Sequence, residues 1–255
     1  SFFNYTMTDF NFVGLANYKE LIADPIFRIA LWNTIVIVVV SVPVTYIFSL
    51  WVSTIIYKMH DRYTSIFRCI FYLPVVTGSV AVTVVWKWMF SPYTGILNYV
   101  LRNLGLITKN INWLGSPEYA LGCIILILLT TSVGQPIVLY VSALSNVDHS
   151  LVEAAEVDGA GYRQKLWYIT VPNLLPTLGM LSVLSLLNTF KVFREAYLVA
   201  GKYPHDSIYL LQHLFNNWFF DLDLGRLTAG AVMMAIVMLI VILVLQKILE
   251  RGSGR

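Results

Sequence analysis

Two groups of residues in this 255-residue chain have the types and spacing to do chemistry. One is the acidic, glycine-punctuated run Ser150–Gly161, which holds Glu153-Ala154-Ala155, Glu156, Asp158 and Gly159. The other is a polar cluster at the end of an apolar run, Asn188, Lys191, Arg194 and Glu195; Gln135, in the triplet Gly134-Gln135-Pro136, is a further polar residue inside an apolar run. Neither group has the make-up of a catalytic centre. The chain has no G-x-x-x-x-G-K-[ST] phosphate loop and so no recognisable ATP site of its own. It has no paired carboxylates with a histidine for a proton relay, and no serine, cysteine or zinc signature of catalysis. His205-x7-His213 lacks the compact spacing of metal ligands. Cys69 and Cys123 each sit in an apolar run without a C-x-x-C pattern, as unpaired core thiols do. No cofactor or metal is expected. What these residues offer is recognition and solvation.

The elements that must hold them are membrane spans. Hydrophobic residues make up 58% of the chain, charged residues 12%, and mean hydropathy is +0.71. Soluble domains average roughly 45–50% apolar and about 25% charged. The net charge of +3 is too small to argue for nucleic acid. Apolar runs place spans at about 31–57 (with Pro43 inside), 69–90, 119–141, 174–198 and 227–249. Ser1–Asp9 has neither a basic n-region nor an apolar h-region, so it is not a signal peptide.

The polar passage 142–172 lies between two spans. Ser150-x-x-Glu153 has the form of a capping box, which predicts a helix from Leu151. Gly159 and Gly161 stop it after about two turns. A second short helix is expected over Tyr162–Tyr168, broken by Val171-Pro172. Pro176 is expected in the first turn of the next span. Basic residues Lys58, Arg62, Arg68, Arg163, Lys165, Lys247, Arg251 and Arg255 are then expected on one side of the membrane, the inner one. Lys19, Arg28, Arg102, Lys109 and Lys202 lie on the other side, so charge alone gives a modest bias.

Several features keep two readings open. Gly134-Gln135-Pro136 suits a cavity wall or a packing notch. The cluster Asn188, Lys191, Arg194 and Glu195 suits a water-filled path, or else an interface if the span ends near Phe190. Lys87 between Trp86 and Trp88 reads as a snorkelling lysine in an aromatic belt. Tyr93–Leu104 has helical apolar spacing and is expected along the outer surface.

The spacing Glu153-Ala154-Ala155, Gly159, Ile169 and Val171-Pro172 resembles the EAA loop of ABC importer permeases; Val171 stands where that family usually has leucine. Phe12–Tyr18, Asn33-Thr34, Leu73-Pro74 and Phe193–Tyr209 are similar to the carbohydrate branch, and Gly225–Gly230 resembles the small-residue lead of these permeases into their last span. The resemblance implies an all-α polytopic membrane protein, a type I ABC importer permease-like helical bundle with a cytoplasmic coupling helix. Glu153, Ala154, Ala155, Gly159, Ile169 and Pro172 would be its ATPase-coupling residues, and most of the family's first span would precede residue 1. It implies a multi-pass protein of a bacterial or archaeal cell membrane, with a second permease subunit, ATP-binding subunits that hold the ATP, and an extracytoplasmic solute-binding protein. The substrate would be a carbohydrate. The aromatic and amide groups of 201–223 (Tyr203, His205, Tyr209, Gln212, His213, Asn216, Asn217 and Trp218) fit sugar binding and equally a membrane-interface belt. Asn188, Lys191, Arg194, Glu195 and Gln135 are the candidates for a translocation path. A permease for a non-sugar solute is the alternative; a secondary transporter or channel would leave the EAA-like loop without a role.

Overall fold

The computed structural model describes residues 2–5, 10–147, 149–190 and 194–253. Two short antiparallel strands, β1 (Phe3–Tyr5) and β2 (Phe10–Phe12), open the chain and lead into α1 (Ala16–Ala23). The Asp24 carboxylate then accepts from the Ile26 amide at 2.8 Å, and Pro25 fills the first helical turn, where its missing N–H costs nothing. These two residues start α2 (Pro25–Ile56) well ahead of Leu31, and it runs through Pro43 as one helix.

The expected second span, 69–90, is two helices. α3 (Asp61–Thr77) and α4 (Ser79–Met89) meet at 94° about Gly78. The short surface helix α5 (Ile96–Asn103) follows. The third span is also a pair, α6 (Pro117–Ser132) and α7 (Gly134–Ser145), bent by 44°. α8 (His149–Val157), α9 (Tyr162–Lys165), a π turn (Leu166–Thr170) and α10 (Val171–Phe190) make up the polar passage and the span after it. The chain ends with α11 (Arg194–Ala200), a 3₁₀ turn (Asp206–Ile208), α12 (Leu211–Phe220) and α13 (Leu224–Ser253). Among the described residues, α2 and the first 21 residues of α13 are each long and apolar enough to cross a bilayer. The bent pairs α3–α4 and α6–α7, and the stretch Leu166–Asn188, which bends by 53° inside α10 between Leu175 and Gly179, pass the same test when each pair is counted as one span.

α2 is the axis of the bundle, packing on α6, α7, α10 and α12. It approaches α7 along a row of small hydroxyl side chains, Ser41, Thr45, Ser49 and Ser53, all buried. Ser49 Oγ donates to the Val133 carbonyl at 3.4 Å. The Ser53 hydroxyl donates to the Ser49 carbonyl of its own helix at 2.6 Å and shares its proton with the longer interhelical acceptor, the Ile137 carbonyl, at 3.3 Å. Small residues allow such contact, and interhelical hydrogen bonds hold it where lipid offers no hydrophobic drive. Val52, Ile56, Val133, Ile137 and Val141 fill the space around these bonds. A second core of Phe27, Leu214, Phe215, Trp218 and Ala229 ties α2 to α12 and α13. Trp32, Ile47, Trp51, Ile236, Leu239 and Leu243 face outward, exposed, as the outer surface of a membrane bundle requires.

Candidate functional site

The polar passage forms a hairpin of two short helices that project from the bundle. α8 begins at His149, two residues before the expected Leu151, so Ser150 lies inside its first turn. Its C-terminus is a Schellman closure. The Gly159 amide donates to the Glu156 carbonyl at 3.0 Å and the Ala160 amide to the Ala155 carbonyl at 2.8 Å, with Gly159 at φ +78°. A side chain at Gly159 would meet nothing within 4 Å, so the constraint there is the left-handed backbone alone. Gln164 Oε1 accepts from the Gly161 amide at 2.8 Å and starts α9.

Lys165 clamps the hairpin by a hydrogen-bonded ion pair to Glu156 across the turn. That hydrogen bond and the lysine charge hold the Glu156 carboxyl below the usual carboxylate range, and Lys58 adds to the effect. Lys58 follows α2, so the first basic loop and the hairpin lie on the same side of the bundle.

The second short helix does not break at Pro172. The Val171 amide reaches back five residues to the Leu166 carbonyl, and the chain continues directly into α10. The wider π turn makes room for a residue that cannot donate, and Asn173 Nδ2 lends a donor to the Ile169 carbonyl at 2.8 Å. Pro172 therefore occupies the first turn of α10, and Pro176 lies in its interior.

Of the six motif residues, Ala155, Gly159 and Ile169 come together in one concave patch. They line it with Asp158, Ala160, Gln164, Lys165 and Tyr168 around a cavity of about 310 Å³. Glu153 and Ala154 are exposed on α8, and Pro172 is exposed at the base of α10. Large apolar side chains stand out in water beside the patch: Val157 is 88% exposed, Tyr168 80% and Trp167 64%. A polar hairpin that keeps such groups wet is built to be covered.

The path candidates are spread over three helices. Gln135 is exposed in the first turn of α7, while Gly134 and Pro136 beside it are buried. A Cβ on Gly134 would stand 2.4 Å from the Phe71 carbonyl oxygen, so this glycine is a packing notch against α3. Asn188 is exposed near the end of α10, and Glu195 is half-buried in the first turn of α11. Arg194 begins α11, and Lys191 lies outside the described residues. Lys87 donates to the Leu198 carbonyl at 3.3 Å, joining α4 to α11.

The aromatic and amide residues of 201–223 do not form an open loop. Tyr209, His213, Asn217 and Trp218 are buried, with Asn217 Nδ2 donating to the Tyr209 hydroxyl at 2.7 Å. Tyr203 and His205 stay exposed. The segment is fastened by Asn33, whose Nδ2 donates to the carbonyls of Asp206 (2.7 Å) and Tyr209 (3.0 Å), and by Thr34, whose Oγ1 accepts from the Leu211 amide at 3.1 Å. The partners of Asn33 and Thr34 in that joint, and the hydroxyl row of α2, are the parts sequence inspection passed over. The row was open to reading, since Ser41, Thr45, Ser49 and Ser53 recur every four residues on one helical face. Among the described residues, no group of three or more His, Cys, Asp or Glu gathers to hold a metal.

The family profile described as "Binding-protein-dependent transport system inner membrane component" matches residues 27–254. A probable ABC transporter permease of Bacillus subtilis, YurN, is 31% identical over 244 residues, 95% of this chain and 84% of that one. The lactose transport system permease LacF of Rhizobium radiobacter is 33% identical over 186 residues, 73% of this chain and 62% of its own. A bacterial alginate ABC transporter, solved in complex with an alginate pentasaccharide-bound periplasmic protein, shares the fold with a TM-score of 0.84 at 23% identity. The match covers 94% of this chain and 84% of the other.

Proposed function

This chain belongs to the inner membrane components of binding-protein-dependent transport systems, the ABC importer permeases, and from that premise we propose that it carries a sugar or oligosaccharide and is driven through its α8–α9 hairpin. Its relatives include a lactose permease and one structural neighbour is an alginate ABC transporter in complex with a periplasmic protein, which supports a carbohydrate solute delivered by a solute-binding protein. A second permease chain would complete the path. Hydrolysis would occur on ATP-binding subunits, this chain supplying no catalytic group.

The observation that carries the coupling role is the exposed apolar surface of Val157, Trp167 and Tyr168 around the patch of Ala155, Gly159 and Ile169. An ATPase seated there would grip α8 through Glu153, Ala154 and Ala155. Because α9, the π turn and Pro172 run on into α10 without a loop, a push on the hairpin would reach the first turns of α10 and pass to the rest across the 53° bend between Leu175 and Gly179. Asn188, Lys191, Arg194, Glu195 and Gln135 are the residues proposed to meet the solute.

Glu153→Lys and Gly159→Asp provide the test. Both variants should insert in the membrane, yet weaken ATPase association about tenfold, equal to ~1.4 kcal/mol of docking, or let hydrolysis run without uptake. Normal transport by both would remove the coupling role. Lys191→Ala and Arg194→Ala should shift the solute dependence of uptake; unchanged titration curves would exclude both from the path.

A further inference from the structure

We propose that α5 is a membrane-surface anchor, whose apolar stripe lies in the headgroup layer of the outer leaflet. Ile96, Tyr99, Val100 and Leu104 recur at the spacing of one helical face, and all four are exposed, Tyr99 at 68% and Leu104 at 66%. Tyr93, 91% exposed, precedes the stripe and Leu106 follows it; Asn103 interrupts it at the last turn.

The helix cannot roll to hide this face, because the other one is locked. Leu97 packs on the cluster of Phe90, Cys123, Ile127 and Val199. Buried Asn98 donates from Nδ2 to the carbonyls of Pro92 (3.3 Å) and Ile111 (2.9 Å). Its Oδ1 accepts from the Ile111 amide (3.2 Å) and from Trp113 Nε1 (2.9 Å). Every hydrogen-bonding position of that amide is occupied.

Its level in the membrane follows from its attachments. α5 lies between the end of α4 and the start of α6. Ile37, far from Lys58 along α2, clusters with Ala120 and Ile124 of α6, whereas Val52 and Ile56 beside Lys58 cluster with Ile137 and Val141 of α7. The start of α6 therefore lies on the opposite side of the bundle from the Lys58 loop and the hairpin. Cys123, against which Leu97 packs, belongs to the second turn of α6, so α5 sits beside the outer end of a span and not far out in solvent. Exposed Arg102 and Lys109 supply the charge that suits lipid phosphate, and the two tyrosines have the amphipathic rings of an interfacial belt. A soluble partner that docks and leaves would wet the stripe in every cycle. The bilayer covers it throughout.

The test uses the assembled transporter in lipid nanodiscs without its solute-binding protein, with Cys69 and Cys123 replaced by serine. Nitroxide labels are placed at Val100→Cys, Leu104→Cys and, as a solvent reference, Lys109→Cys. Labels at 100 and 104 should collide severalfold more with oxygen than with an aqueous nickel chelate, the label at 109 should show the reverse, and adding the binding protein should change neither. Equal nickel access at all three positions would overturn the proposal. So would shielding of 100 and 104 that arises only when the binding protein is added. Nanodiscs expose both membrane faces, so the outcome does not depend on the coupling role of the hairpin.

Discussion

Asn33 and Thr34 hold segments 173 to 177 residues further along the chain, by three hydrogen bonds at the N-terminal end of α2. Asn33→Leu would keep the side-chain size but orphan the Asp206 and Tyr209 carbonyls, at about 1–3 kcal/mol for each one left buried. We expect a lower thermal midpoint in detergent and faster hydrogen exchange over Asp206–Leu211, with exchange in α8 unchanged. Ser49 and Ser53 differ in kind, since their task is closeness. Ser→Ala at both should cost little, about 0.6 kcal/mol per lost interhelical bond. Ser53→Leu should separate α2 from α7 and abolish assembly, as read by gel filtration of the complex. Sequence inspection singled out Asn33-Thr34 as a family-like pair, but its partners were illegible, because a contact across so much chain leaves no trace in local spacing. The burial of Tyr209, His213, Asn217 and Trp218 escaped for the same reason.

The hairpin shows what local chemistry makes legible. Gly159 ends α8 as its sequence position requires, because a left-handed closure depends on neighbours within six residues. The Glu156–Lys165 clamp is electrostatic, and its pH dependence has a definite sign. The Glu156 carboxyl is held below its ordinary value, so the clamp is fully present above the usual carboxylate range, near 4.3. It is lost only as pH falls through the lowered value. Amide exchange of Ala160–Lys165, referenced to a Glu156→Gln variant, should therefore show no pH-dependent opening between neutrality and pH ~5. The continuation through Pro172 was not legible, since proline predicts a break and only the π turn before it makes the helix tolerable. The bends at Gly78 and between α6 and α7 were equally hidden. Two apolar helices joined by one residue have the same hydropathy as a single straight one.

The five apolar runs read from the sequence fall on two helices long enough to cross a bilayer singly and on three bent stretches that qualify only when each is counted as one span. The placement of the first basic loop beside the hairpin agrees with the charge pattern read from Lys58 and Lys165. As a whole, the permease should be passive by itself. In proteoliposomes, solute uptake should need the ATP-binding subunits and ATP, and an imposed ion gradient should not replace them; gradient-driven uptake without nucleotide would identify a different machine. The π turn at Leu166–Thr170 carries one consequence for how such a machine moves. It stores a surplus residue inside an otherwise regular coil, and a surplus of that kind can migrate along the coil one position at a time. Each residue it passes would turn by roughly 100° about the coil axis, without opening a gap in the chain. The linkage between the hairpin and α10 can thus re-aim its side chains while its backbone stays continuous.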